Sequence, residues 1–231
     1  MTPRLDRRTV LAIGALAVVA FACSSEGDDA GLEPLSPVRT GADPADGEES
    51  GSQPTVAMIG DSITFMSTDP LRAALTGIGL DVRAIDAQIG RRITVGEGGR
   101  PYPGTDIVEF IANSDPPDVW VIALGTNDIG QYPDAEAFGT QVQTLLDLIP
   151  DDAPLVWVDT WDGARLDQTR LVNDTLRALV GERDNAMVVD WFSHGDDEGV
   201  ITNDQVHPTP AGTLVFGQVV ADGIEALAAS L

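Results

Sequence analysis

Thr55 to Thr64 reads TVAMIGDSIT. Its first five residues are apolar or β-branched and do not alternate with polar ones, the pattern of a short strand covered on both faces. Gly60, Asp61 and Ser62 break that run before Ile63 resumes it. A strand that passes into a helix through a small polar turn is the unit from which parallel sheets are built. Ser62 stands at this junction, where two roles are open to it. It is either the cap of the following helix, since serine is a preferred N-cap, or a reactive hydroxyl at the carboxyl end of a strand.

The same unit recurs along the chain. Apolar runs at 82–85 (VRAI), 118–124 (DVWVIAL), 154–159 (PLVWVD) and 186–190 (AMVVD) read as further strands. Helical periodicity falls between them at 69–79, 105–114, 134–149 and 164–182, and a last helix is expected over 210–230, with Thr209 as N-cap and Pro210 in its first turn. Five strands alternating with helices predict a three-layer α/β/α domain around a five-stranded parallel sheet, spanning residues 55–231. Open parallel sheets gather ligand groups at the carboxyl ends of their strands. The loops to search are therefore GDSIT, QIGRRI, GTND, DTWDG and NDQVH.

The N-terminus has a different character. Arg4, Arg7 and Arg8 precede the apolar run VLAIGALAVVAFA (10–22), too short for a bilayer span of about 20 residues but suited to the apolar region of an export signal. The run ends at Cys23, the only cysteine, followed by two serines. This resembles a bacterial lipoprotein cleavage site, and Arg7-Arg8 resembles a twin-arginine signal. Residues 1–22 are thus expected to be a signal peptide, 23–54 a Gly/Ser/Pro/Asp/Glu-rich disordered linker, and the protein to be exported or held at the cell surface through Cys23.

Composition removes many chemistries. The chain of 231 residues carries 37 acidic side chains against 13 basic ones, a net charge of -24, so neither nucleic acid nor an anionic lipid surface is an expected partner of the folded domain. All the basic residues are arginine; without lysine there is no Schiff base, serine–lysine dyad or phosphate-loop lysine. Cys23 lies in the leader, which excludes a catalytic thiol, and no dinucleotide fingerprint follows the first strand. Any histidine base must be His194 or His207.

Among the loops, Asn127 in GTND offers side-chain N–H donors beside the first strand, and Gly90 offers a backbone N–H after the second; each is otherwise an ordinary turn residue. Asp204 precedes His207 by three residues, a spacing at which a carboxylate can hold one ring nitrogen while the other faces a hydroxyl. The alternative for His207 is a surface position ahead of the last helix.

Gly60-Asp61-Ser62, Gly90, Gly125-Thr126-Asn127-Asp128 and Asp204-Gln205-Val206-His207, in this order, resemble the four motif blocks of the SGNH (GDSL-like) hydrolases. The resemblance covers residues 55–231 and implies a flavodoxin-like fold and carboxylic ester chemistry with no metal or other cofactor. It also implies Ser62 as nucleophile, His207 as base and Asp204 as its partner, with an oxyanion hole from the N–H groups of Ser62 and Gly90 and the amide of Asn127. The match at Gly90 is the loosest, with Gly96, Gly98 and Gly99 nearby, and the GRRI form looks like SGNH domains attached to membrane acyltransferases.

The expected activity is hydrolysis of short-chain O-acyl esters, small-molecule or glycan, by a monomer. Arg91, Arg92 and Arg100 are either substrate-holding groups on a mobile lid or solvated charges offsetting the acidic surface. Tyr102, Tyr132 and Trp161 are candidates to stack on a sugar or acyl chain, whereas Trp120, Trp157 and Trp191 are expected to be core. Three rivals stay open: an O-acyltransferase acting on cell-envelope glycan, a non-catalytic anchored binding domain, and a metal-dependent hydrolase built on Asp190, His194, Asp196, Asp204 and His207.

Overall fold

The computed structural model describes residues 53–96 and 102–231; the leader, Cys23 and most of the linker, together with Gly98, Gly99 and Arg100, lie outside the described residues. Five parallel strands form one sheet: β1 (Thr55–Gly60), β2 (Asp81–Ala87), β3 (Val119–Ala123), β4 (Leu155–Val158) and β5 (Ala186–Val189), in the order β2-β1-β3-β4-β5. The expected α/β architecture is the one observed, and most boundaries fall within a few residues of the sequence reading.

Among the described residues six α-helices cover the sheet: α1 (Ser62–Met66), α2 (Thr68–Gly77), α3 (Gly104–Ser114), α4 (Ala135–Leu146), α5 (Leu166–Val180) and α6 (Pro210–Ser230). Side chains alternate across each strand, so the apolar runs feed two cores at once. Val56, Met58, Val121, Val156 and Val158 meet Leu71 and Leu75 of α2 and Phe216, Val220 and Ile224 of α6 on one face. Ile59, Trp120, Ile122, Leu155 and Trp157 meet Val108 of α3, Phe138 and Val142 of α4 and Val172 and Leu176 of α5 on the other. Trp120, Trp157 and Trp191 are fully buried, as their positions in or beside strands led one to expect.

Strand β2 is the exception to two-sided burial. It lies at the sheet edge, and its residues alternate between exposed and partly buried at the start. At the other end of β1, the Asp118 carboxylate accepts hydrogen bonds from the Thr55 backbone N–H and hydroxyl, both 2.7 Å, and pins the starts of β1 and β3 together. The pairing that results sets Gly60 opposite Ala123, which brings the GDS and GTND turns side by side at the carboxyl edge.

Candidate active site

The turn after β1 resolves the first ambiguity. Asp61, not Ser62, caps α1: its Oδ1 accepts the Ile63 N–H at 2.9 Å, and Ser62 is the first helical residue. With capping assigned to its neighbour, Ser62 is free to turn its hydroxyl elsewhere. Ser62 Oγ lies 2.9 Å from His207 Nε2, and His207 Nδ1 lies 2.8 Å from Asp204 Oδ2. An ionised carboxylate only accepts, so the proton belongs on Nδ1 and Nε2 is left to accept the Ser62 hydroxyl. The chain of three groups can therefore pass a proton from the serine to the histidine.

The loop carrying Asp204 and His207 is shaped by its own backbone. Thr202 N–H donates to the His207 carbonyl at 2.8 Å, and Gln205 N–H donates to the Thr202 carbonyl at 3.0 Å. Gln205 takes φ +64°, a left-handed conformation uncommon for residues other than glycine. Its carbonyl is fixed by the Gly163 N–H at 2.9 Å, so the turn after β4 holds the strained residue in place. Asp204 Oδ1 receives the Thr202 hydroxyl at 2.7 Å and the N–H groups of Val206 and His207 at 2.9 Å each. Desolvation opposes the charge, but these donors and the His207 ring outweigh it and hold the Asp204 carboxyl well below the usual carboxylate range. It is therefore an anion throughout the neutral range.

The third block is built on Gly125, whose φ of +127° admits no ordinary side chain and turns the chain sharply out of β3. In the single turn that follows, Asn127 Nδ2 reaches Asp61 Oδ2 at 3.2 Å and the Arg91 carbonyl at 3.1 Å. Both amide hydrogens have acceptors in the resting site, so donation to a developing oxyanion requires sharing one of them. Gly90 lies in an exposed turn at φ +78°, and it is the carbonyl of its neighbour Arg91 that meets Asn127. Asp128 completes the block: it is 1 % exposed and accepts from Arg92 Nε at 3.0 Å and the Ile93 N–H at 3.2 Å, locking the second loop to the third.

Two of the sequence expectations need correction. Arg91 is not available to a substrate. It is 2 % exposed, and its guanidinium donates to the carbonyls of Tyr102 (3.0 Å), Gly60 (3.1 Å) and Asp86 (2.6 Å) and to Asp86 Oδ1 (2.5 Å). The side chain is a strut that ties β1 and β2 to Tyr102. Trp161 is likewise core. It is 4 % exposed, packs against Phe192 with ring centroids 5.3 Å apart and planes tilted by 58°, and fills space that a Cβ on Gly195 would enter. Arg92 lies 5.4 Å above the Tyr132 ring and is partly exposed beside Asp128, while Tyr102 stays at the surface. The two histidines do not converge on a metal site: His194 pairs with Asp197 at 2.8 Å, and among the described residues no three His, Cys, Asp or Glu side chains form a ligand set.

Sequence reasoning passed over the buried carboxylates beneath the site. Asp61 is 1 % exposed; burial pushes its pKa up to about 6 against the opposing pull of the Ile63 N–H, the His207 charge and the Thr126 hydroxyl. Asp159, at the carboxyl end of β4, is pushed up to about 7 by burial, although the Phe192 and Trp191 N–H groups and Arg177 favour its charge. Both values lie above the unfolded one of about 3.9. Their contribution to stability is therefore complete below about pH 4 and lost as the pH rises through 6 and 7. Asp204, shifted the other way, contributes above about pH 4 and loses that contribution in stronger acid. Thermal midpoints are expected to fall between pH 5 and 8. Asp159→Asn is expected to flatten that fall, the gap between variant and wild type moving by about 2 kcal/mol or more in the variant's favour. A gap that does not change with pH would remove this assignment.

The sequence profile of the GDSL-like lipase/acylhydrolase family matches residues 58–214, from the strand before Ser62 to the helix after His207. The chain belongs to that family. Comparison with curated protein sequences finds no match. Solved structures with the same fold include a carbohydrate acetylesterase family member from Sinorhizobium meliloti, 17 % identical with a TM-score of 0.61, over 75 % of this chain and 98 % of that one. The C-terminal catalytic domain of peptidoglycan O-acetyltransferase A from Streptococcus pneumoniae, determined with a methylsulfonyl adduct, is 19 % identical with a TM-score of 0.58, over 77 % of this chain and 96 % of that one. A member of the lipolytic G-D-S-L family from Veillonella parvula is 21 % identical with a TM-score of 0.56, over 73 % and 96 % of the two chains. These likenesses establish the fold, and the family match joins it to the four blocks at one edge of the sheet.

Proposed function

We propose that this GDSL-family protein is a serine esterase for short-chain O-acyl esters. The observation that carries the proposal is the unbroken hydrogen-bond chain from Ser62 through His207 to Asp204. Ser62 Oγ attacks the ester carbonyl carbon as its proton passes to His207 Nε2. The tetrahedral intermediate collapses, the C–O bond to the alcohol breaks, and the proton on Nε2 goes to the leaving oxygen. Water, activated by the same nitrogen, then releases the acid and restores the serine. The Ser62 and Gly90 N–H groups and the Asn127 amide are the proposed oxyanion donors, each contributing about 3 kcal/mol of selective transition-state stabilisation. Asp204, anchored by its three donors, keeps the histidine in the tautomer that can accept. No cofactor enters any step.

Two features support a neighbouring reading, transfer of the acyl group to a glycan hydroxyl instead of water: an open cleft of about 580 Å³ beside β2, and the likeness to the Streptococcus pneumoniae O-acetyltransferase domain. The basic and apolar leader and Cys23 support action outside the cytoplasm, on an anchored or released protein. Its substrates there are small-molecule or glycan esters, met by a monomer. The intact set of Ser, Asn, Asp and His weighs against a purely binding role.

Treatment with a sulfonyl fluoride tests the proposal. A sulfonyl group is expected on the peptide containing Ser62, with hydrolysis of p-nitrophenyl acetate declining in proportion to labelling and untouched by chelators. Ester turnover that persists with Ser62 unlabelled would overturn it.

A further inference from the structure

Capping α1 occupies only one oxygen of Asp61. Oδ1 accepts the Ile63 N–H at 2.9 Å, while Oδ2 accepts from Asn127 Nδ2 at 3.2 Å. That second bond crosses from the turn after β1 to the turn after β3, and joins the neighbour of Ser62 to a proposed oxyanion donor. Asp61 is 1 % exposed and makes the bond almost out of reach of solvent, whereas Asn127 is only partly buried and can meet a substrate oxygen.

These contacts fix which way the amide faces. Asn127 Nδ2 meets two acceptors, Asp61 Oδ2 and the Arg91 carbonyl at 3.1 Å. Turning the amide over would set its oxygen, which cannot donate, against both. A developing oxyanion needs one of these N–H groups, and the two acceptors hold them unequally. A hydrogen bond to an ionised carboxylate is roughly twice as strong as one between neutral groups. The carbonyl is therefore the partner that gives way. We propose that Asp61 is a positioning residue for the oxyanion hole: it keeps one Asn127 N–H and aims the other, released from the Arg91 carbonyl, at the reacting oxygen. The inference rests on the esterase reading and deepens it, because the reaction then needs a charge on the residue before the nucleophile.

The role belongs to the ionised carboxylate, since a protonated one can set its own O–H against the amide donor. Burial pushes the Asp61 pKa up to about 6, against the pull of the Ile63 N–H, the His207 charge and the Thr126 hydroxyl. Charged groups face Asp61 from four sides. His207 does so from the loop ahead of α6, and Asp128 from the turn after β3. Asp159, at the end of β4, lines the same small buried cavity, and Arg91, from the loop after β2, donates to the neighbouring Gly60 carbonyl. Rates measured at pH 8 are thus read with Asp61 charged.

Two variants of the whole protein keep a preferred N-cap at position 61. In Asp61→Asn the side-chain oxygen stays on the Ile63 N–H, and an NH₂ donor is turned toward Asn127. Asp61→Ser withdraws the second oxygen without opposing a donor. With p-nitrophenyl acetate, Asp61→Asn is expected to lower kcat by about 10²-fold with KM little changed, the loss of one oxyanion donor. Asp61→Ser is expected to lower it less. Packing alone gives the opposite order, because serine leaves the larger void. Added to Asn127→Ala, Asp61→Asn is expected to cost less than about threefold more, since residues that act as a unit are not additive. An equal loss in both backgrounds overturns the proposal and places the effect of Asp61 on His207. So does an Asn127→Ala protein as fast as wild type. Thermal melts accompany each rate, and if Asp61→Asn does not fold, Asp61→Ser takes its place in the cycle. A second readout requires no turnover. In His207→Gln, which removes the imidazole's titration and its lowering pull, the Asn127 amide NMR signal is expected to shift with an inflection at or above pH 6. The inflection is expected to vanish when Asp61→Asn is added, and its persistence overturns the proposal. If no ester is turned over and Ser62 takes no sulfonyl label, the failure lies in the esterase reading, and this titration still decides whether Asp61 holds the amide.

Discussion

Replacing Ser62 by alanine is expected to lower kcat for p-nitrophenyl acetate by about 10⁴-fold or more, the loss that follows when a triad nucleophile is removed. The variant is expected to fold as the wild type does. Helix α1 keeps its cap, because Asp61 supplies the bond to the Ile63 N–H. The Asp204–His207 pair keeps all its donors, and the His207 side chain, 33 % exposed, can exchange the lost hydroxyl for water. Loss of activity therefore cannot be assigned to a frayed helix, which would be the natural objection if the serine were itself the cap. Steady-state rates and a thermal melt on the same preparation check both halves. A fall of less than tenfold, with the melt unchanged, would mean that another group carries the attack. The residual rate of the variant then reports what the oxyanion donors achieve without a nucleophile.

How much of this was legible beforehand depended on whether a residue's role is local. The strands could be read because parallel strands buried on both faces leave continuous Val/Ile runs, and TVAMI and LVWV are of that kind. Ser62 stood out because it follows the first strand almost directly, and Asp204 and His207 because they lie together in the turn ahead of the last helix. Arg91 and Trp161 were misread for a common reason. Sequence places a side chain on a loop but does not show whether that loop folds back over the sheet. Arg91 follows β2 by four residues, yet its guanidinium reaches the carbonyl of Gly60, 31 residues away in the chain. Trp161 follows β4, but Gly195 opens a slot for it. The buried acids were missed because nothing nearby in sequence announces their burial. Asp159 is buried where it meets Arg177, 18 residues on, and two N–H groups more than 30 residues away. The same holds for Asn173, whose amide makes three hydrogen bonds with Thr160 and fixes the turn that in turn supports Gln205.

That dependence of the site on distant backbone is sharpest at Gly212. It lies in the first turn of α6, and a Cβ there would stand 2.0 Å from the Val200 carbonyl oxygen and 2.9 Å from its carbon. Neither atom can retreat easily. The Val200 carbonyl already accepts the Thr209 N–H at 2.9 Å, and the next residue, Ile201, bridges to Pro208. Moving the strap aside means moving the loop closed by Thr202 and His207, and with it the imidazole. Gly212→Ala is therefore expected to cost roughly 3 kcal/mol or more, beyond the ordinary penalty of overpacking because the obstacle is backbone. In a domain of this size that corresponds to a drop of about 6–12 °C in Tm. Activity should fall further than the unfolded fraction explains, since a displacement of about 1 Å at a catalytic group can cost about 10²-fold. Gly77→Ala is the control: its Cβ would meet nothing within 4 Å at the end of α2, and the change is expected to alter stability by less than about 1 kcal/mol. A Gly212→Ala protein that melts with the wild type would show that the α6 N-terminus and the histidine loop are independent. Equal loss of stability in both variants would show that the contact with Val200 does not set the effect, since alanine is the better helix former at both positions.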